Sequence, residues 1–283
     1  MEHFDAQLDG IRLHIAASGA GDPVVLLHGF PEFWYSWRSQ LPALAAAGFR
    51  ALAPDLRGYG DSHRPKGIEA YSTERLVADI VQLIERVAGG NAHLVGHDWG
   101  GVIAWRLAAM RPDLVRKLVI LNAPHPQAFR RVLRTNPVQW LQSSYVLLFQ
   151  IPWLAERLVS AGDFWLMEQT FKYQPANPNA FTAADIARYK QAFRQAGAIT
   201  AALNYYRAAL RYPGDLRSGP QTVTVPTLVI WGDRDPYLSK QLTKDLDRWV
   251  TQLEVEHLPD ASHWVQNDAP QKVNQLLSDF LSR

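Results

Sequence analysis

Residues 92–101 read Ala92-His93-Leu94-Val95-Gly96-His97-Asp98-Trp99-Gly100-Gly101. Ala92–Gly96 is a short, continuous apolar run, the pattern of a parallel strand covered on both faces. Gly101–Met110 carries a helical pattern that Pro112 and Asp113 stop. Between them lies Gly-x-nucleophile-x-Gly, the shape of a nucleophile elbow. Its glycines permit a cramped turn that pushes the central side chain out of the end of a sheet. The central residue is Asp98, not serine, and the difference has chemical content. A serine that attacked saturated carbon would leave an ether, which the site could not hydrolyse. A carboxylate leaves an ester, which it can. An aspartate of ordinary pKa, about 3.9, is also ionised at neutral pH without help. The turn therefore points to displacement at saturated carbon followed by ester hydrolysis.

Outward from this turn the pattern repeats. Pro23–Gly29, Phe49–Asp55, Lys117–Asn122, Thr227–Gly232 and Leu253–Leu258 read as strands, and Ser36–Ala47 and Thr73–Ala88 as helices. Alternation of strand and helix predicts an α/β fold with a mostly parallel sheet and right-handed crossovers. Phe4–Leu8 and Arg12–Ala17 flank Asp9-Gly10, a hairpin signal, and predict an antiparallel edge. Between Asn122 and Pro226 the strand signal vanishes. Residues 138–212 are helical and rich in aromatics, bracketed by Pro124, Pro126 and Pro137 on one side and by Pro213, Gly214, Gly219, Pro220 and Pro226 on the other. The expected organisation is a core of residues 1–124 and 214–283, interrupted by a helical cap at 125–213.

Composition narrows the classes. The chain has 283 residues, 47% hydrophobic and 20% charged, enough apolar residue to bury a large core, so disorder is excluded. A formal charge of +2 without blocks of like charge argues against nucleic acid or an anionic membrane as the main partner. The absence of cysteine excludes disulfides, a thiol nucleophile and Cys-ligated metals. The start shows no apolar signal-peptide region, and the greasy stretch Tyr145–Ala155 is too short to span a bilayer and is broken by Gln150 and Pro152. These features predict a soluble, cytoplasmic protein, monomeric or homodimeric. The nine histidines form no ligand-spaced cluster, so neither metal nor organic cofactor is expected.

The elbow needs partners. His28-Gly29-Phe30-Pro31 ends a strand, where this architecture supplies one oxyanion N–H; the residue after the nucleophile supplies the other. The backbone amides of Phe30 and Trp99 are therefore the expected donors, while His28 reads as a structural brace. The base should be a late histidine. His263 follows the last strand and fits the order nucleophile, acid, histidine; His257 is the rival, inside a strand pattern. The acid should follow Thr227–Gly232, where Asp235 lies further out on the loop than Asp233. His93 and His97 read as packing or supporting residues. Asp55, Arg57, Asp61 and Ser62 read as braces behind the oxyanion loop, and Trp34 and Trp37 as pocket lining or packing.

These motifs together resemble the α/β-hydrolase superfamily and, within it, the epoxide hydrolases. The resemblance runs over essentially the full length, through His28–Glu32, Trp34–Arg38, Pro54–Ser62, Gly96–Gly101, Gly232–Asp235 and Ser262–Trp264. It implies an eight-stranded, mostly parallel sheet flanked by helices, with an inserted helical cap. Similar epoxide hydrolases carry two cap tyrosines that hydrogen-bond the epoxide oxygen. One precedes a Phe-Gln pair, and Tyr145 before Phe149-Gln150 matches it. The other lies in an Asn-aromatic-Tyr-Arg segment, matched by Tyr206 in Asn204-Tyr205-Tyr206-Arg207, with Tyr205 as the alternative. The resemblance thus implies an enzyme that turns a small apolar epoxide and water into a vicinal diol through an alkyl ester of Asp98, with His263, Asp235, Tyr145 and Tyr206 in support. Haloalkane dehalogenases share the Asp-His-Asp core and are the alternative, with Trp99 and a cap tryptophan such as Trp140 or Trp165 as halide donors. Phe30 stands where many of them have Asn, and Trp99 where fluoroacetate dehalogenases have Arg. A non-catalytic binding protein on the same fold would more commonly show a damaged triad, and a serine esterase does not fit Asp98.

Overall fold

The computed structural model describes residues 1–213 and 221–283. The expected cap–core boundary at 214, with Gly214, Gly219 and Pro220, lies outside the described residues. Eight strands form one sheet: β1 (Glu2–Leu8), β2 (Ile11–Ser18), β3 (Asp22–Leu27), β4 (Phe49–Pro54), β5 (Ala92–His97), β6 (Val115–Leu121), β7 (Thr227–Gly232) and β8 (Leu253–Leu258). Their order is β1-β2-β4-β3-β5-β6-β7-β8. The β1–β2 hairpin and the β2–β4 pair are antiparallel; every later pair is parallel.

Strands β3 to β7 are buried on both faces, so alternate residues enter different cores, whereas the outermost strand β8 is not buried. Val25, Leu27, Leu94, Ile120, Val229 and Trp231 face one apolar cluster. Val24, Leu26, Val95, Val119, Leu121 and Ile230 face the other. That is why these strands read as continuous apolar runs rather than alternating ones.

Helices α1 (Gln40–Ala46), α2 (Thr73–Arg86) and α3 (Trp99–Met110) fill the crossovers, and α10 (Val265–Asp268) and α11 (Pro270–Leu281) close the chain. Residues 34–47 are not one helix: a single 3-10 turn over Trp34–Trp37 precedes α1. Pro42 explains the break. It lacks an N–H and is tolerated only in a helix's first turn, so α1 cannot begin much before Gln40. Helix α2 is capped by the Ser72 side chain and buries Leu76, Val77, Ile80, Leu83 and Ile84 along one stripe. Helix α3 is buried almost throughout, because it lies directly beneath the sheet.

Six helices lie between β6 and β7: α4 (Pro126–Thr135), α5 (Pro137–Gln142), α6 (Tyr145–Phe149), α7 (Leu154–Tyr173), α8 (Ala183–Arg194) and α9 (Ala198–Arg211). Helix α7 is kinked: Ala161 is extended, and Gly162, Asp163 and Phe164 adopt positive φ. No described helix is long and apolar enough to cross a membrane.

Candidate active site

The elbow puts Asp98 between β5 and α3 with φ 50° and ψ −119°. A non-glycine residue held there costs of order 1–3 kcal/mol, so the surroundings must over-determine it. They do so by close backbone approach. A Cβ on Gly100 would lie 2.1 Å from the Leu27 carbonyl oxygen, and one on Gly29 would lie 2.4 Å from Cβ of Asp98. Only glycine at both positions lets the loop after β3 pack against the turn. The reward is a hydrogen bond of 2.8 Å from the Phe30 amide to Oδ1 of Asp98. The Trp99 amide begins α3, whose first-turn N–H groups have no intrahelical acceptor and favour negative charge.

His28 braces this loop: its Nε2 accepts from the Leu56 amide at 3.0 Å and its Nδ1 donates to the Gly29 carbonyl at 2.9 Å. Asp55 holds the next loop, accepting from the Trp34 and Asp61 amides. Arg57 forks onto Asp79 at 2.6 and 2.7 Å.

Each of the two late candidate histidines pairs with one of the two candidate acids. His257 pairs with Asp233 at 2.5 Å on an exposed strand edge. His263 pairs with Asp235 at 2.7 Å, buried, and its Nε2 stands 3.7 Å from Oδ2 of Asp98. Only the second pair faces the elbow. Burial opposes charge on His263, but Asp235, then Asp98 and Glu32, outweigh it and raise its pKa to about 9. Asp235 is held in turn. Its Oδ1 accepts from the Tyr237 and Leu238 amides, and its Oδ2 from Asn122 Nδ2 at 2.8 Å.

Asn122 was visible in the sequence only as the end of a strand. It adopts positive φ, which asparagine tolerates, and also accepts from the Gly232 amide at 2.8 Å, so it ties the end of β6 to the acid loop. Glu32 was likewise not singled out. It is fully buried, bonds His97 Nδ1 at 2.8 Å, and His97 Nε2 donates to the His263 carbonyl at 2.9 Å. Burial raises the Glu32 pKa, but His97 and Ser36 more than compensate and lower it to about 2. A carboxylate inside the apolar stretch Gly29–Trp34 was the available signal.

Above the elbow, Asp98, His263, Phe30, Tyr145 and Tyr206 line one cavity of about 280 Å³, completed mainly by apolar side chains such as Phe149, Met167 and Phe193. Tyr206 packs edge-on against Trp99, with ring centroids 5.1 Å apart. The Tyr145 and Tyr206 rings meet edge-on, with centroids 6.0 Å apart. Burial, and then the Asp98 charge on Tyr145 and the Tyr145 and Asp98 charges on Tyr206, push both phenol pKa values up. Both therefore stay protonated donors. Tyr205 points elsewhere, donating to the Arg57 carbonyl at 2.8 Å.

The two tyrosines sit on different helices, so the α6–α9 contact sets their spacing. Gln150 Nε2 donates to the Tyr206 carbonyl at 3.4 Å, and Arg207 Nε to the Phe149 carbonyl at 2.8 Å. Arg207 also pairs with Glu156 at 2.7 and 3.0 Å. Substituting Arg207→Met is expected to destabilise the fold by about 3 kcal/mol in urea denaturation. That is the low end for a broken buried pair, because Glu156 keeps 19% exposure.

The remaining candidates do not converge. Trp140 and Trp165 are exposed and Trp37 lies in the core. None of these three, nor Trp34, lines the cavity. His93 is buried within β5, where burial and then Arg116 lower its pKa to about 4.

Comparison with known proteins agrees with this architecture. Residues 22–270 match a family model described as the alpha/beta hydrolase fold. The chain is 42% identical to an AB hydrolase superfamily protein, YfhM, of Bacillus subtilis, over 96% of this chain and 95% of that one. It is 40% identical to epoxide hydrolase 3 of Xenopus tropicalis, over 96% of this chain and 75% of the other. In structure it is similar to a Bacillus megaterium epoxide hydrolase in complex with an inhibitor, with a TM-score of 0.89, 32% identity, and 99% of this chain and all of the other covered. A variant of that enzyme is described with its diol product bound. With this sheet, this inserted helical cap and relatives of such identity over nearly its whole length, the chain belongs to the α/β-hydrolase superfamily and to its epoxide hydrolase family.

Proposed function

We propose that the protein hydrolyses apolar epoxides to vicinal diols through a covalent ester on Asp98. One observation carries the reading: two phenol donors, a carboxylate and a histidine paired with a second carboxylate line the same apolar cavity. Epoxide opening needs this set. The ring oxygen leaves as an alkoxide, and a protonated phenol in a dry site stabilises it and supplies its proton.

Oδ1 of Asp98 is held by the Phe30 amide, so Oδ2, on the His263 side, is the attacking atom. It forms a C–O bond as the epoxide C–O bond breaks, and Tyr145 or Tyr206 passes a proton to the departing oxygen. His263 Nε2 then takes a proton from water, which attacks Cγ of the ester. The former Oδ1 becomes the oxyanion, facing the Phe30 and Trp99 amides. Collapse expels the diol oxygen, which takes its proton from His263, and the carboxylic acid left at Asp98 gives up its proton as the phenol that opened the ring is restored. Asp235 keeps the imidazole oriented and stabilises its charged form. No step draws on a metal or an organic cofactor.

The test is a single turnover with excess enzyme in ¹⁸O-water. The oxygen delivered to the diol comes from Asp98, so the first diol is expected to be unlabelled and the label to appear in the Asp98 peptide. Label in the first diol would mean direct attack by water. Offered 1-bromoalkanes instead, the enzyme is expected to release no bromide. The dehalogenase reading loses support because Trp140 and Trp165 stand outside the cavity.

The pKa of His263 has a consequence for pH dependence. Near 9 in the resting enzyme, it leaves the imidazole charged at neutral pH, and the Asp98 charge is one cause. Esterification removes that charge, so the pKa falls and the base is released when it is needed. The ester-decay rate should therefore rise with pH through an apparent pKa below 9, whereas the resting imidazole should titrate near 9 when followed by NMR. Asp98→Asn should lower the NMR value; an unchanged value would show that Asp98 does not act on His263.

A further inference from the structure

Exposed apolar side chains crowd one part of the cap. Trp140, Leu141, Leu147, Leu148, Trp165 and Leu166 are all exposed, with Trp140 and Trp165 at 59% and Leu147 at 60%. Single exposed hydrophobics need no explanation, but such a concentration does. Two of the six, Leu148 and Leu166, also line the active-site cavity. The cavity thus reaches the surface among these residues.

Charge along the chain through α4, α5, α6 and the start of α7 is one-sided. Residues 126–162 contain four arginines, Arg130, Arg131, Arg134 and Arg157, and one acidic residue, Glu156. Glu156 is occupied by Arg207. Arg131 pairs with Asp245, Arg157 lies over the Trp153 ring, and Arg130 and Arg134 have no carboxylate partner among the described residues. The acidic residues beside Trp165 are neutralised locally: Asp163 by Lys190 and Arg194, and Glu168 by Lys172 and Lys190. The chain-wide charge of +2 averages this asymmetry away.

We propose that the cavity-mouth face of the cap docks on an anionic phospholipid bilayer, from which apolar substrate passes directly into the site. Exposed tryptophan and leucine on helices that also carry arginine without a carboxylate partner is the side-chain set that settles at a lipid headgroup boundary. The contact is peripheral, since no described helix can cross a bilayer. A second copy of this chain is the competing occupant. A dimer centred on this face would seal the cavity mouth, whereas a bilayer leaves it open to an apolar ligand. Binding to lipid needs no turnover, so the proposal stands or falls independently of the epoxide reading.

The test is sedimentation with sucrose-loaded vesicles. The full chain is expected to pellet with equal parts phosphatidylglycerol and phosphatidylcholine, and much less with phosphatidylcholine alone or in high salt. Combining Trp140→Ser, Leu147→Ser and Trp165→Ser, or Arg134→Glu with Arg157→Glu, should weaken binding about tenfold or more, while turnover of a small water-dissolved epoxide stays within about twofold. The unsubstituted protein remaining in the supernatant with the anionic vesicles at low salt would overturn the proposal. So would variants that bind as the parent does. Light scattering that shows a dimer which the serine variant dissociates would assign the face to a second copy instead.

Discussion

His263→Gln is expected to stop turnover while leaving ring opening intact. The variant should accumulate, one per chain, a mass increment equal to the epoxide, located on the peptide carrying Asp98. The reason lies in the division of labour around the carboxylate. Oδ1 is held by the Phe30 amide, and the tyrosines on the cap side of the cavity can serve the leaving oxygen, so nothing in the first step needs the imidazole. Ester hydrolysis does, because water in an apolar cavity is a poor nucleophile without a base. Loss of the base should slow that step by about 10⁴-fold. The fold should tolerate the change: Asp235 keeps Asn122 and the Tyr237 and Leu238 amides as partners, so it is not left as an uncompensated buried charge. Intact-protein mass spectrometry after incubation with a reactive epoxide decides the matter. A folded variant that turns nothing over and carries no adduct would mean that Asp98 is not the nucleophile.

The second large effect is expected at the opposite end of the reaction. Tyr145→Phe and Tyr206→Phe remove two hydroxyls and leave the rings, so the aromatic packing with Phe149, Phe30 and Trp99 persists. Each single change should cost about 10²-fold in ring opening, as losing one donor to a developing oxyanion does, because the other phenol remains. The double variant leaves no protonated donor at the leaving oxygen and should lose about 10⁴-fold. Stopped-flow quenching of tryptophan fluorescence reads the alkylation step directly, since Trp99 touches Tyr206. If the double variant opened epoxides within about tenfold of the parent rate, the phenols would be cavity lining and not acids. The two experiments also separate the steps: the histidine variant forms the ester and keeps it, whereas the tyrosine variant should not form it.

Much of the fold was legible because its determinants act over a few residues. Strand β7 lies where its apolar run puts it, β8 where its alternation of apolar and polar residues does, and the Asp9-Gly10 turn joins the antiparallel edge. The elbow was legible for the same reason, since its glycines are needed by the local backbone and by one packing contact each. The helix expected over Ser36–Ala47 was overextended because apolar spacing outvoted Pro42, whose missing N–H carries more weight than periodicity.

What was not legible depends on which distant groups meet. Loop position favoured Asp235 and His263, but by residue type alone Asp233 and His257 are rivals. Both His–Asp pairs exist in the structure, and only the position of the β7–β8 loops relative to β5 puts one of them beside Asp98. The same holds for Tyr205 and Tyr206, neighbours on one helix: their side chains diverge, so one reaches Arg57 and the other the cavity. Asn122 and Glu32 act only through partners on other elements. The sequence by itself therefore determined the sheet, the inserted helices and the carboxylate at the elbow, because backbone sterics and apolar burial are written into neighbouring residues. The sequence could only rank the rival histidines, acids and tyrosines; which of them stand at that carboxylate depends on tertiary structure, because it is set by packing between segments a hundred or more residues apart.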